Sequence, residues 1–285
     1  MPTTDSPLRY PGGKTQLAPF VSDLLRANDL TRGVYAEPFA GGAGIAWRLL
    51  FAGHVSEVWL NDIDTGIHSL WKVILERPED LCERIERTPV TMQQWHEQRG
   101  ILASSKNTLQ LAFATLFLNR TNRSGIIAAG VIGGKAQNGT YKLNCRFKKD
   151  ELIDKILRIA RYREVIRLSR LDARLCIAQW DKSLPKRSMM NIDPPYFAKG
   201  QELYTNFYQP HDHQVLAKTI RRLKCAWMLT YDDTPEIERL YAGLPTYRKA
   251  LTYYAQVKRR ANELLVLAPT LNPPEGLTKA FPRAA

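Results

Sequence analysis

Short apolar runs alternate with longer amphipathic ones along this chain, and the alternation predicts an α/β fold. Gln16 to Leu25 repeats apolar residues at helical spacing, Val34 to Glu37 reads as a strand, and Ile45 to Leu50 reads as a helix. Val55 to Leu60 is a second strand, which completes one β-α-β unit. Thr65 to about Ile101 is amphipathic and helical, and Ala103 to Leu118 is a largely apolar helix. Asn119 to Tyr141, rich in Gly, Asn and Thr, predicts a loop with room for a hairpin. Asp150 to Tyr162 is helical again. Strands follow at Val165 to Leu168 and at Met189 to Ile192, then a helix from His211 to Leu223. Cys225 to Thr230, Arg248 to Val257 and Glu263 to Ala268 are the remaining strand candidates, and the proline-rich tail after Pro269 predicts no regular element.

The sheet is therefore interrupted after its second strand. Residues 71–162 are expected to form an inserted, mainly helical domain, with residues 1–70 and 163–285 building the sheet domain. Charge sharpens this division. The 285 residues carry a formal net charge of +13, for which a polyanionic partner is the simplest reason. From Arg99 to Lys149 there are nine Lys or Arg residues and no Asp or Glu, so the surplus is concentrated in the insert. Thr, Asn, Gly and Tyr lie between these basic residues, a mixture suited to phosphate contacts and to shorter reach toward base edges. Four scattered cysteines and five scattered histidines show no zinc spacing, so free thiols and no metal are expected. No apolar run resembles a signal peptide or is long enough to span a bilayer, which predicts a cytoplasmic protein with no membrane partner.

The candidate chemistry gathers at predicted strand ends, where open α/β sheets bind ligands. Asp193-Pro194-Pro195-Tyr196 follows the strand Met189 to Ile192. The Asp193 carboxylate and the Pro194 carbonyl are acceptors suited to an amino group, and Tyr196 offers a flat face to a planar ring. Pro-Pro after a strand is also ordinary turn chemistry. Phe39 to Gly44 is a glycine turn at the end of the first strand, without the spacing of a dinucleotide fingerprint or a P-loop. Missing Cβ atoms there allow close ligand approach, and the following helix N-terminus suits a carboxylate. Asp62, at the end of the second strand, is placed to accept from ribose hydroxyls or simply to make a turn.

Tyr10-Pro11-Gly12-Gly13-Lys14, Glu37-Pro38-Phe39-Ala40-Gly41-Gly42, Asn61-Asp62 and Asp193-Pro194-Pro195-Tyr196 stand in one order along the chain. That order resembles the DNA adenine-N6 methyltransferases of the Dam-like type (D12 class, alpha motif order), over almost the whole chain down to Asn262-Glu263-Leu264-Leu265. The resemblance implies a Rossmann-like S-adenosylmethionine-dependent methyltransferase sheet with an inserted target-recognition domain. It implies S-adenosyl-L-methionine as cofactor, S-adenosyl-L-homocysteine as product, and a target adenine flipped out of double-stranded DNA.

By motif, Tyr10 and Lys14 would line the cofactor pocket and its mouth. Glu37, Phe39, Gly41 and Gly42 would hold the methionine part, Asp62 the ribose, and Asp172 the cofactor's adenine amine. Asp193, Pro194 and Tyr196 would hold the target adenine. Phe117 to Gly125 resembles the family's DNA-contacting hairpin, and Arg120, Asn122, Arg123, Ser124, Lys135, Arg146 and Lys148 are the expected DNA contacts. Arg123-Ser124 stands where family members often place an aromatic residue followed by Asn. Arginine can read guanine with two hydrogen bonds, but it is not a hydrophobic wedge. The family implies a bacterial or phage-encoded modification enzyme, expected as a monomer in solution or a dimer on DNA. A methyltransferase of RNA or of a protein amide, and a non-catalytic DNA-binding relative, are the competing readings.

Overall fold

The computed structural model describes residues 4–9, 14–198, 208–254 and 258–275, with the strand residues 249–254 and 258–261 as backbone alone. One seven-stranded sheet organises the chain, in the order β3-β2-β1-β4-β5-β7-β6. Its strands are β1 (Val34–Glu37), β2 (Glu57–Asn61), β3 (Ile166–Ser169), β4 (Ser188–Ile192), β5 (Ala226–Asp232), β6 (Thr246–Tyr254) and β7 (Lys258–Leu267). The first five in that order are parallel, while β7 runs antiparallel to both β5 and β6. Every residue of β1 and β4 is buried. That is why these strands read as short, mostly apolar runs rather than as strict alternation.

Strand β1 stands between β2 and β4, with Ala36 opposite both Trp59 and Met190. The strand order reverses there, so a crevice opens between the carboxyl ends of β1 and β4. Glu37 ends β1 and Asp193 follows β4, which brings the glycine turn and the Asp-Pro-Pro-Tyr turn to the same crevice.

Helices α1 (Ala18–Ala27), α2 (Gly44–Phe51) and α3 (Thr65–Glu76) follow the early segments, and α4 (Pro78–Arg87), α5 (Met92–Ser104), α6 (Thr108–Thr121) and α7 (Lys149–Ala160) build the insert. The expected junction at residue 71 falls inside α3, which packs against β3 as well as α6 and α7. Helix α6 starts at Thr108, later than the apolar pattern predicts, because Asn107 caps it by accepting from Gln110 N. It is buried without interruption from Leu111 to Thr121, as befits the central helix of the insert. The loop after it forms only one bridge, Asn122 with Val131, between short 3-10 turns at Arg123–Gly125 and Leu143–Arg146, instead of a hairpin.

Among the described residues, the sheet domain also holds the helices α8 (Ala173–Ser183), α9 (Pro210–Ile220) and α10 (Pro235–Leu240). Helix α8 is not among the helices expected from the sequence, although Ala173, Cys176, Ile177 and Trp180 are buried at helical spacing.

Candidate active site

The glycine turn after β1 is held by side chains from the end of β2 and from α3. Gly41 and Ala43 both adopt left-handed backbone, with φ of 46° and 48°. Gly41 N donates to Asp62 Oδ2 at 2.8 Å, and Trp71 Nε1 donates to Gly41 O at 3.0 Å. Asp62 Oδ1 accepts from Asp64 N at 2.9 Å. Asn61, fully buried, donates to Pro38 O and Leu171 O, both at 3.0 Å, and accepts from Leu171 N at 2.8 Å. One amide thus ties together the chain leaving β1, β2 and β3.

Two carboxyls are buried in this cradle. Burial pushes Glu37 up to about 8, against hydrogen bonding by Tyr35 and Asn191 and with the Asp193 charge adding to the rise. Burial likewise pushes Asp62 up to about 7, against the Gly41 and Asp64 amides. Each is a site short of positive charge or donors. Asp172 is committed differently: it caps α8 by accepting from Arg174 N at 2.9 Å and takes the Arg174 guanidinium at 3.1 and 3.2 Å. Burial opposes its ionisation, but these partners hold it below its ordinary value. Half-buried Phe39 meets Tyr208 edge-on at 6.1 Å.

The turn after β4 carries a connected ionic cluster. Asp193 Oδ1 accepts from Lys14 Nζ and from Thr230 Oγ1, each at 2.7 Å. Lys14 Nζ also lies 3.1 Å from the Tyr196 hydroxyl and 3.4 Å from Glu263 Oε2. The Tyr196 hydroxyl donates to Glu263 Oε1 at 2.7 Å. Lys14 and Glu263 side chains are each 3% exposed, whereas Asp193 is 27% exposed, so Asp193 is the member that faces outward. Asp232, at the end of β5, accepts from Phe197 N and Ala198 N at 2.9 and 2.8 Å and fixes the chain beyond Tyr196. Pro194 and Pro195 are buried between the two functional side chains.

Lys14, expected at the cofactor pocket and its mouth, is held at the Asp193 carboxylate, on the crevice that both turns share. Tyr10 lies outside the described residues. Thr230, Asp232 and Glu263 complete the cluster but were not singled out from the sequence. Thr230 and Asp232 carried a signal as polar residues in the otherwise apolar β5, and Glu263 stands at the head of the apolar half of β7.

The expected DNA contacts divide. Arg123 and Lys135 are exposed, and Lys148 is exposed and paired with Glu151 at 2.6 Å. Ser124, with φ of 57°, and Arg146 are half-buried. Arg120 and Asn122 are a correction to the expectation, because both are buried. Arg120 Nε donates to Arg146 O at 2.8 Å, and burial together with the charges of Arg9 and Arg146 pushes its guanidinium down to about 10. Asn122 accepts from Trp95 Nε1 at 2.7 Å and donates to Ile127 O at 2.8 Å. These two side chains build the loop rather than reach from it.

The turn tip is docked on the N-terminal segment. Asn119 accepts from Arg9 N and donates to Arg9 O, both at 2.8 Å, and also donates to Gly125 O at 2.7 Å. A Cβ on Gly125 would stand 2.0 Å from Arg9 O, and its φ is 78°, so this turn admits only glycine.

Comparison with solved structures finds similarity to the Pyrococcus horikoshii protein PH1948, at 8% identity over 91% of this chain and 84% of that one, TM-score 0.40. TrmN from Thermus thermophilus shares 13% identity over 86% of this chain and 46% of its own, TM-score 0.36. The rRNA methyltransferase AviRa from Streptomyces viridochromogenes shares 15% identity over 90% and 86%, TM-score 0.35. No curated protein matches the chain. The family whose pattern covers residues 10–258 is that of the D12 class N6 adenine-specific DNA methyltransferases, and this chain belongs to it, an S-adenosylmethionine-dependent enzyme that methylates the N6 amine of adenine in DNA.

Proposed function

We propose that the enzyme methylates adenine within a specific duplex sequence, after the target base has turned out of the helix into the recess before Asp193 and Tyr196. The observation that carries this reading is the Asp193 carboxylate. Its Oδ1 is held by Lys14 and Thr230 while the residue stays partly open beside buried Tyr196. A fixed acceptor beside an aromatic face is what an exocyclic amine on a planar base requires.

The strand-end cradle fits the cofactor in chemistry. Glu37 and Asp62 are buried carboxyls raised toward neutrality, and an ammonium and ribose hydroxyls are groups that would restore their ionised forms. Glu37, Phe39, Gly41 and Gly42 would hold the methionine part and Asp62 the ribose. Asp172, engaged by Arg174, would reach an adenine amine through its remaining lone pairs. Bound S-adenosylmethionine supplies an activated sulfonium methyl.

The protein has two tasks at the target amine. The N6 lone pair is delocalised into the ring, so Asp193 and the Pro194 carbonyl would accept from its hydrogens and favour charge gain on nitrogen as the bond to carbon forms. Tyr196 would stack on the base and offset part of the unstacking cost, a few kcal/mol. The surplus proton leaves after transfer, when the amine has become acidic.

Residues 71–162 would serve as the recognition domain, beside a catalytic domain of residues 1–70 and 163–285. Arg123, on a tight turn, is the proposed base reader with Ser124 beside it, and Lys135, Arg146 and Lys148 the proposed phosphate contacts. Arg9 and Arg146 repel one another across the same loop, and Arg9 Nη1 is buried with no partner among the described residues. That surplus suits a phosphate.

Among the described residues no helix is long and apolar enough to cross a membrane. The proposed setting is the cytoplasm of a bacterium, on cellular or phage DNA, with the enzyme monomeric in solution. The test is methyl transfer from labelled S-adenosylmethionine to duplex DNA, RNA and protein, followed by mapping. Label at adenine N6 of one short duplex sequence is expected; label confined to RNA or protein contradicts the reading.

A further inference from the structure

We propose that Glu263 is a positioning residue for methyl transfer, setting through Lys14 how far Asp193 is neutralised and through Tyr196 how the aromatic face is held. This rests on the assignment of Asp193 and Tyr196 as the target-base pocket. Glu263 lies on β7 opposite Asp232 of β5, at the head of the buried run Leu264 to Ala268. An acid at 3% exposure in such a strand is costly unless paired, and its two oxygens face two different members of the site. Oε1 accepts from the Tyr196 hydroxyl at 2.7 Å, and Oε2 lies 3.4 Å from Lys14 Nζ.

The consequence is a division of charge. One ammonium, Lys14, lies 2.7 Å from Asp193 and 3.4 Å from Glu263, so it serves two carboxylates. With Glu263 ionised, the cluster keeps a net negative charge, and Asp193 remains a strong acceptor for an amine that gains positive charge. With Glu263 uncharged, more of the Lys14 charge falls on Asp193, whose pull on the amine weakens. Tyr196 shares the same anchor: its hydroxyl touches both Lys14 and Glu263, so its ring is fixed at the hydroxyl end. Glu263 thereby couples residues 14, 193 and 196, brought together from both ends of the chain, without itself touching the reacting atoms.

Glu263→Gln tests the charge alone, because the amide oxygen can still accept from Tyr196. The expected result is a single-turnover rate on duplex DNA lowered about tenfold or more. Cofactor affinity, duplex affinity and melting temperature should stay near wild type, each affinity within about twofold. Glu263→Asp keeps the charge and is expected to recover more rate than Glu263→Gln. Tyr196→Phe is the second probe. It keeps the ring but frees it from Glu263, and should also lower the rate at unchanged cofactor affinity, non-additively with Glu263→Gln. A Glu263→Gln rate within about twofold of wild type overturns the proposal, and so does a parallel fall of rate, cofactor affinity and melting temperature, which marks a structural role. If Glu263→Gln does not fold, Tyr196→Phe decides by the same two criteria. Loss of transfer in Asp193→Ala beside full rate in Glu263→Gln overturns this inference and leaves the target pocket standing. Full rate in both overturns both.

Discussion

The Lys14 ammonium and the Asp193 Oδ1 atom meet at 2.7 Å across 179 residues of chain. This pair ties the segment entering α1 to the turn leaving β4. It places Lys14 at the carboxylate proposed to hold the target amine, while Glu37, the glycine turn and Asp62 form the proposed cofactor cradle.

Cofactor binding should depend on pH through the two buried carboxyls. Glu37 is raised to about 8 and Asp62 to about 7, and the cofactor's ammonium and hydroxyls favour the ionised forms. Affinity should therefore rise with pH, by up to about tenfold per unit for each group below its raised value, and binding should release protons. For stability of the free protein the opposite trend is expected. A carboxyl whose folded value exceeds its unfolded value of about 4 binds more protons when folded, so its stabilising contribution is full below that value. It is lost as pH rises through about 7 and then about 8. Calorimetry in buffers of different ionisation enthalpy, with melting curves from pH 5 to 9, checks both signs.

Asp62→Ala should damage the cradle as well as the ribose contact, because Asp62 also holds the Gly41 and Asp64 amides. A loss of about 1 to 3 kcal/mol in cofactor affinity is expected. Duplex affinity measured without cofactor should hardly change. Equal loss of both would show that Asp62 supports the fold at large.

Arg123→Ala should lose discrimination, and Lys148→Ala should lose only general affinity. Arg123 is exposed on a turn whose tip is pinned by Asn119 to Arg9. A base contact there is worth about 1 to 3 kcal/mol between the mapped site and single-base variants. Lys148, held by Glu151 in the free protein, should weaken all duplexes alike and lower the salt slope by about one when removed. The measurement is duplex affinity over a range of salt. Uniform loss in Arg123→Ala would make this loop an electrostatic clamp.

How far the sequence could be read depended on how each element is buried. Strands β1 and β4 are buried throughout, so they stood out as mostly apolar runs, and the motifs at their ends meet at one crevice. The partners of Asp193 were not legible, since neither spacing nor periodicity reports a contact between Lys14, Thr230 and Glu263. What could have been weighed is the oddity of Glu263 heading the run Leu264 to Leu267. The loop after α6 misled for the opposite reason. Arg120 and Asn122 look like surface residues at the end of an apolar helix, but α6 is buried to its last turn, and its polar end became the internal frame of the loop.

The central claim is that Asp193 grips the target amine and takes no part in holding the cofactor. Asp193→Ala, assayed by single-turnover methylation of duplex DNA beside calorimetric cofactor binding, addresses it most directly. Removing a contact of this kind costs about 3 kcal/mol at the transition state, so the rate should fall roughly a hundredfold or more, with cofactor affinity changed by no more than a small factor. A near-normal rate, or a loss of rate fully matched by lost cofactor binding, would contradict the account.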